Sequence, residues 1–159
     1  HVCNPRTLGV FIPYKEKKIN VTDFYGNSFE AEVIKSEYDQ DICALAVENS
    51  SVTPVSISFN QLSYGEKVYN IAAPMSIFNP GAVPLLDGYF SGFLGEDALY
   101  TIPAAPGSSG SGIFNSRGEL VGIIHSAIQG FQSVSISITQ DNLEIFVLEL
   151  TSDYGLVHH

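Results

Sequence analysis

Apolar residues in this chain come in short runs, and almost every run is closed by a turn former. Leu8-Gly-Val-Phe-Ile12 ends at Pro13, and Lys18 to Phe24 puts Ile19 and Val21 on one face before Tyr25-Gly26-Asn27. Phe29, Ala31 and Val33 then alternate with Glu30 and Glu32, the pattern of the returning strand of a hairpin. Ile42 to Val47 and Val55 to Phe59 continue the texture, and Asn60 to Glu66 is a polar crossing. Beyond it come Val68 to Ala73, the turns Asn79-Pro80-Gly81 and Asp87-Gly88, and five further strands. These are Tyr89 to Leu94, Ala98 to Ile102, Gly112 to Asn115, Glu119 to Ala127 and Ser133 to Ile138. Period-two alternation over so many short segments excludes an α/β chain and predicts an all-β sandwich or a pair of barrels. One segment differs. After Thr139, a suitable N-cap, and Asp141, which suits the positive end of a helix dipole, Leu143, Phe146, Val147 and Leu150 recur with helical spacing.

Composition removes several classes of function. Hydrophobic residues make up 45% and charged residues 15% of 159, so the chain can bury a core and is not disordered. The net charge of −10, with seven Lys and Arg, repels nucleic-acid phosphates and anionic membranes, and its simplest role is solubility. No apolar run has the length of a membrane span. Two cysteines, Cys3 and Cys43, cannot make a disulfide-framework mini-protein; one bridge is open to them, but two buried thiols are the expectation. With no Cys-x-x-Cys and scattered histidines, neither a metal nor a cofactor is expected. The chain starts at His1, so a targeting signal would lie upstream and the compartment is not readable. His158-His159 is given no function.

The segment with chemical character is Pro106-Gly107-Ser108-Ser109-Gly110-Ser111-Gly112-Ile113-Phe114. Attack on an amide carbonyl needs a serine on a tight, exposed turn, with backbone N–H groups close by to hold the developing oxyanion. Gly107 permits the backbone dihedrals such a turn demands, and Gly110 leaves room for substrate. A plain Gly/Ser linker is the competing reading, but a linker would not run at once into a strand, the turn Ser116-Arg117-Gly118 and another strand.

Gly107-Ser-Ser-Gly-Ser-Gly112, followed by Ile-Phe-Asn-Ser-Arg-Gly-Glu-Leu-Val-Gly-Ile123, resembles the Gly-x-Ser-Gly-[Gly/Ser] motif of trypsin/chymotrypsin-like serine peptidases. The short-loop members are the nearest in kind: HtrA/Deg proteases, glutamyl endopeptidases and viral chymotrypsin-like proteases. The resemblance implies Ser109 as nucleophile and the backbone N–H groups of Gly107 and Ser109 as oxyanion hole. Ser108 and Ser111 are then bystanders, whose alanine variants should keep much of the activity. Asp41-Ile-Cys-Ala-Leu-Ala-Val47 is similar to the strand that begins with the family's triad aspartate, which selects Asp41 over Asp39. Family order is His, Asp, Ser, and His1-Val2 resembles the segment around the catalytic histidine. The implied triad is His1, Asp41 and Ser109.

The resemblance further implies two six-stranded antiparallel barrels, with about 30 residues of the first preceding His1 by analogy with the family. In this division residues 1–60 are the remainder of the N-terminal barrel and 61–67 the crossing. Residues 68–138 are the C-terminal barrel, 139–150 a helix and 151–159 a tail, so that the chain is the peptidase unit alone. It implies a polypeptide substrate, with Pro103, Ala104 and Ala105, Ile124, Ala127 and Ser135 around the P1 side chain. None carries a charge, so a small uncharged P1 residue fits. His125 has two readings. Family members that cut after Glu or Gln carry a histidine in this pocket, but Gly122-Ile-Ile-His125 has one extra Ile. Unless a bulge corrects the slip, His125 falls on the other face of the strand as a supporting residue. The second reading of the whole chain is an inactive peptidase-fold module that binds protein.

Overall fold

The computed structural model describes residues 19–48, 52–128 and 130–154. The chain divides into two compact units. One comprises residues 1–54 with 78–83, the other residues 55–77 with 84–159.

In the first unit, β1 (Ile19–Thr22), β2 (Ser28–Glu37) and β3 (Ile42–Val47) form an antiparallel sheet in that order. β1 and β2 are the expected hairpin, with Val21 opposite Phe29 and Ile19 opposite Ala31. Its turn is organised by one carboxylate. Asp23 Oδ1 accepts from the N–H groups of Tyr25 (2.9 Å) and Asn27 (2.8 Å), and Oδ2 accepts from Asn27 Nδ2 (2.8 Å). The Asn27 side chain foremost holds the Asp23 carboxyl below its ordinary range, with the backbone N–H groups adding to it and desolvation opposing. β2 runs longer than its alternating core, and the register shifts between Val33 and Lys35 as it meets β3. Cys43 is disulfide-bonded, which overturns the expectation of two thiols. The physical reason for that error is that burial makes a cysteine look like any small apolar residue, and sequence periodicity does not report pairing. Cys3, His1 and the run Leu8–Ile12 lie outside the described residues.

The second unit is a closed barrel. Its strands are β4 (Lys67–Ile71), β5 (Leu85–Leu94), β6 (Asp97–Tyr100), β7 (Gly112–Phe114), β8 (Leu120–Ile128) and β9 (Phe131–Ile138), in the order β4-β5-β6-β9-β8-β7. β7 returns to β4 through Tyr69↔Phe114 and Asn70↔Ile113 and closes it. Every pairing is antiparallel, so each strand can turn one face inward, and the inward set is mostly the apolar alternation of the sequence, with Asn70, Ser135 and Ser137 as fully buried polar members. Leu62, Val68, Phe90, Ala98, Tyr100, Ile102, Ile113, Val121 and Ile124 make one continuous core. Burying each of the larger side chains contributes about 1.5–3 kcal/mol. Burial also pushes the Tyr100 phenol well above its ordinary pKa.

Residues 55–62 lie along this barrel. Ile57 bridges Leu120 in parallel, and Ser58 N–H donates to Leu120 O (2.9 Å). The helix α1 (Gln140–Tyr154) ends the described chain, four residues beyond Leu150. Thr139 is its N-cap, its Oγ1 accepting from Asn142 N–H at 3.3 Å. Leu143 and Phe146 are buried as the spacing predicts. The first helical residue is also a clamp. Buried Gln140 donates through Nε2 to the carbonyls of Ser58 (3.0 Å) and Asn60 (2.7 Å) and accepts from Leu62 N–H (3.1 Å). No described helix is long and apolar enough to cross a membrane.

Candidate active site

The segment from Pro103 to Ser111 connects β6 to β7, and its conformation follows from two glycines. Gly107 has φ +97°, and a Cβ there would come within 2.7 Å of the Ala73 carbonyl oxygen, so no other residue fits without backbone movement. Gly110 has φ +87° with open space where a Cβ would stand. Ser111 N–H donates to Ser108 O at 3.1 Å, closing a four-residue turn that requires its third residue, Gly110, in the left-handed region. The second residue of that turn is Ser109, exposed at its outer side.

The two neighbouring serines are turned inward. Ser108 is buried, and its Oγ accepts from Ala105 N–H (3.2 Å) while its own N–H donates to Ala105 O (2.9 Å). Ser111 Oγ donates to Ser108 O at 2.6 Å and accepts from Asn70 Nδ2 at 2.9 Å. Gly110 N–H donates to Ile124 O (2.7 Å), tying the turn to β8. Ser109 Oγ donates to the His125 carbonyl at 3.2 Å. Among the described residues the backbone N–H groups of Gly107 and Ser109 have no hydrogen-bond partner. Two unpartnered donors flanking one exposed hydroxyl can chemically receive an anion.

β8 carries a register irregularity between Ile124 and Ser126, with His125 between the two paired positions. The imidazole Nε2 lies 3.1 Å from Asp97 Oδ1, at the start of β6. The His125 side chain is therefore engaged with a carboxylate of the same barrel, while its carbonyl meets Ser109. The expected P1-contacting residues are dispersed in their burial. Ala104 and Ile124 are buried, Ile124 within the barrel core, whereas Ala127 is exposed. Ser135 is fully buried, and its Oγ has no partner among the described residues. Ala104 N–H is held by Gln132 O at 2.9 Å.

In the first unit Asp41 closes the β2–β3 turn and immediately precedes β3. Its N–H donates to Tyr38 O (3.4 Å), and its φ is +51°. Asp39 sits at the exposed tip of the same turn. His1 lies outside the described residues.

Asn70 was not foreseen from sequence. It lies on β4 between Val68 and Ala72, both buried, so it occupies an inward position of an apolar strand. That mismatch between residue type and position is a readable signal, because a buried amide must find partners.

Residues 1–123 match the trypsin-like peptidase domain family. The chain belongs to that family. No curated protein sequence matches it significantly. Among solved structures, it is similar to the serine endoprotease from Yersinia pestis, with a TM-score of 0.72 and 21% identity over 84% of this chain and 48% of that one. It is also similar to the HtrA-type protease AlgW solved with a decapeptide (TM-score 0.73, 17% identity, 87% of this chain and 45% of that one). A third likeness is to the inactive form of the Ser343Ala mutant of Rv3671c from M. tuberculosis H37Rv (TM-score 0.65, 14% identity, 79% of this chain and 67% of that one). The chain thus spans about half the length of two of these proteins. At such identities they establish the fold. A closed six-stranded barrel, a three-stranded sheet and a C-terminal helix make this a chymotrypsin-like chain, as its motif implies.

Proposed function

We propose that the chain is a serine endopeptidase that cleaves internal peptide bonds through an acyl-enzyme on Ser109. The observation that carries this reading is the Ser108–Ser111 turn: one exposed hydroxyl, flanked by the unpartnered N–H groups of Gly107 and Ser109. In the reaction Ser109 Oγ attacks the scissile carbonyl. The carbonyl oxygen becomes an oxyanion that those two N–H groups receive, a contribution worth about 10²–10³ in rate per donor. His1 takes the serine proton and later gives it to the leaving amine, and Asp41 holds the imidazole in the required tautomer. The substrate is a polypeptide, the class to which the decapeptide held by AlgW belongs. Ala104, Ile124, Ala127 and Ser135 bring no charge to P1, and His125 is occupied by Asp97, so a small uncharged P1 side chain is preferred over Glu or Gln.

One observation favours the second reading, a protein-binding module without turnover: the Ser109 hydroxyl is spent on the His125 carbonyl. A fluorophosphonate probe together with a peptide library varied at P1 separates the two. Labelling at Ser109 and cleavage after Ala, Val, Leu or Met, both abolished in Ser109→Ala with the melting temperature unchanged, is the expected result. The loss should reach several orders of magnitude. A folded wild-type chain that neither labels nor cleaves rules out the peptidase reading, and exclusive cleavage after Gln or Glu that disappears in His125→Ala overturns the P1 assignment.

A further inference from the structure

A buried amide and a serine hydroxyl run in line beneath the nucleophile turn. Asn70 has no solvent exposure, and its Nδ2 donates both to Gly112 O (2.8 Å) and to Ser111 Oγ (2.9 Å). The orientation of the amide is fixed by chemistry: a carbonyl only accepts, so the nitrogen must face Gly112 O. Ser111 Oγ is thereby an acceptor toward Asn70, and its single proton goes to Ser108 O at 2.6 Å, the short end of the range for such bonds. Ser108 O is the acceptor end of the peptide unit whose donor end is Ser109 N–H. A peptide unit is planar, so fixing one end fixes the direction of the other.

We propose that Asn70 and Ser111 are positioning residues that aim the Ser109 N–H into the oxyanion hole. The proposal rests on the peptidase reading for its consequence in rate, and on hydrogen-bond geometry alone for the alignment. It reverses the expectation that Ser111 is a bystander. The backbone already supplies one bond to Ser108 O, from Ser111 N–H at 3.1 Å, and that bond closes the turn. The hydroxyl adds a second from a different direction, and two converging donors leave the carbonyl far less freedom to tilt than one. The buried position of Asn70 makes this anchor rigid, since its strand β4 is paired on both sides, to β5 and β7. An amide enclosed in an apolar barrel, its Oδ1 without a partner among the described residues, is not a stability device. What it achieves is the orientation of a turn whose hydrogen-bond partner lies 41 residues away in sequence.

The test uses Ser111→Ala, Ser111→Thr and Asn70→Ala in the full chain. Ser111→Ala should lower kcat between about tenfold and a hundredfold with KM little changed, because a misaimed donor weakens transition-state binding and leaves substrate binding intact. Ser111→Thr retains the hydroxyl and should recover most of kcat. Independently of turnover, the backbone amide resonance of Ser109 should move in Asn70→Ala, although the changed residue is remote in sequence. If Asn70→Ala does not fold, the Ser109 resonance is read in Ser111→Ala against Ser111→Thr, which should return it toward the wild-type position. Wild-type kcat in Ser111→Ala, or an unmoved Ser109 resonance, overturns the alignment. If the wild-type chain hydrolyses nothing, the peptidase reading falls, and the Ser109 resonance still decides whether Asn70 and Ser111 orient that peptide.

Discussion

Two tight turns carry the candidate catalytic groups, and they distribute backbone strain in opposite ways. In the Ser108–Ser111 turn the left-handed position belongs to Gly110, and Ser109 is not among the residues of positive φ. In the Tyr38–Asp41 turn the left-handed position, φ +51°, belongs to Asp41 itself. The first turn is further tied down from beneath by Asn70, through Ser111, and from the side by Ile124 O. The difference matches the task proposed for each. A nucleophile must present its hydroxyl at a defined angle and receive a developing charge beside it, so the strain and the anchoring are given to neighbours. A supporting carboxylate needs only a fixed place at the start of a strand, and Asp is among the few side chains that tolerate the left-handed region.

The largest effect that would sharpen this contrast, after loss of the nucleophile, is at Asp41. Asn tolerates the left-handed region as well as Asp does, so Asp41→Asn keeps the turn and removes only the charge. In a working triad it should cut kcat by about 10⁴ with almost no change in melting temperature, while Asp39→Asn, at the exposed tip, should be mild. Equal losses at the two positions in steady-state kinetics would end the assignment of Asp41.

Next in size is Gly110→Ala. A Cβ there meets nothing within 4 Å, so sterics with neighbours cost nothing and the penalty is the backbone's alone. The denaturant midpoint should fall by the equivalent of about 1–2 kcal/mol with the m-value unchanged. An unshifted midpoint would mean that the turn relaxes out of the left-handed conformation, and the contrast between the two turns would lose its basis.

How much of this was legible beforehand depends on range. The β1–β2 hairpin, the apolar core positions of β4 to β8 and the Thr139 cap were readable because each is encoded within a few neighbouring residues. The Gly107–Gly112 motif was readable for the same reason. What escaped is long-range. Asn70 finds Ser111 only because β4 and β7 pair when the barrel closes. His125 finds Asp97 only because β9 lies between β8 and β6 and the β8 register breaks beside it. The state of Cys43 escaped likewise, since local pattern distinguishes a buried thiol from a bonded one no better than it locates a partner.

The smallest predicted effect concerns a turn to whose hydrogen bonds a local ion pair is added. After β7, Asn115 Oδ1 accepts from the N–H groups of Arg117 (2.9 Å) and Glu119 (3.0 Å), and its Nδ2 donates to Glu119 Oε2 (2.6 Å). Arg117 reaches the same oxygen through Nε (2.9 Å) and Nη2 (2.7 Å). The Arg117 guanidinium first, and the Asn115 amide second, hold the Glu119 carboxyl below its ordinary pKa of 4.5. A carboxyl with a depressed folded-state pKa contributes stability that is fully present above its unfolded value and is lost as pH falls through the folded one. Glu119→Gln should therefore leave the chain slightly less stable at neutral pH and indistinguishable from wild type in strong acid, with a shallower acid limb in melting temperature against pH. Catalysis should not change, because this turn lies at the far end of β7 from Gly112 and none of its bonds reach the nucleophile turn. A Glu119→Gln chain whose melting temperature follows the wild-type curve from neutral pH down to acid would show that this ion pair is too well solvated to matter, as exposed pairs commonly are. A parallel fall in kcat would instead mean that strain in the Asn115–Glu119 turn travels along β7, and the independence of the nucleophile turn from local charge would be lost.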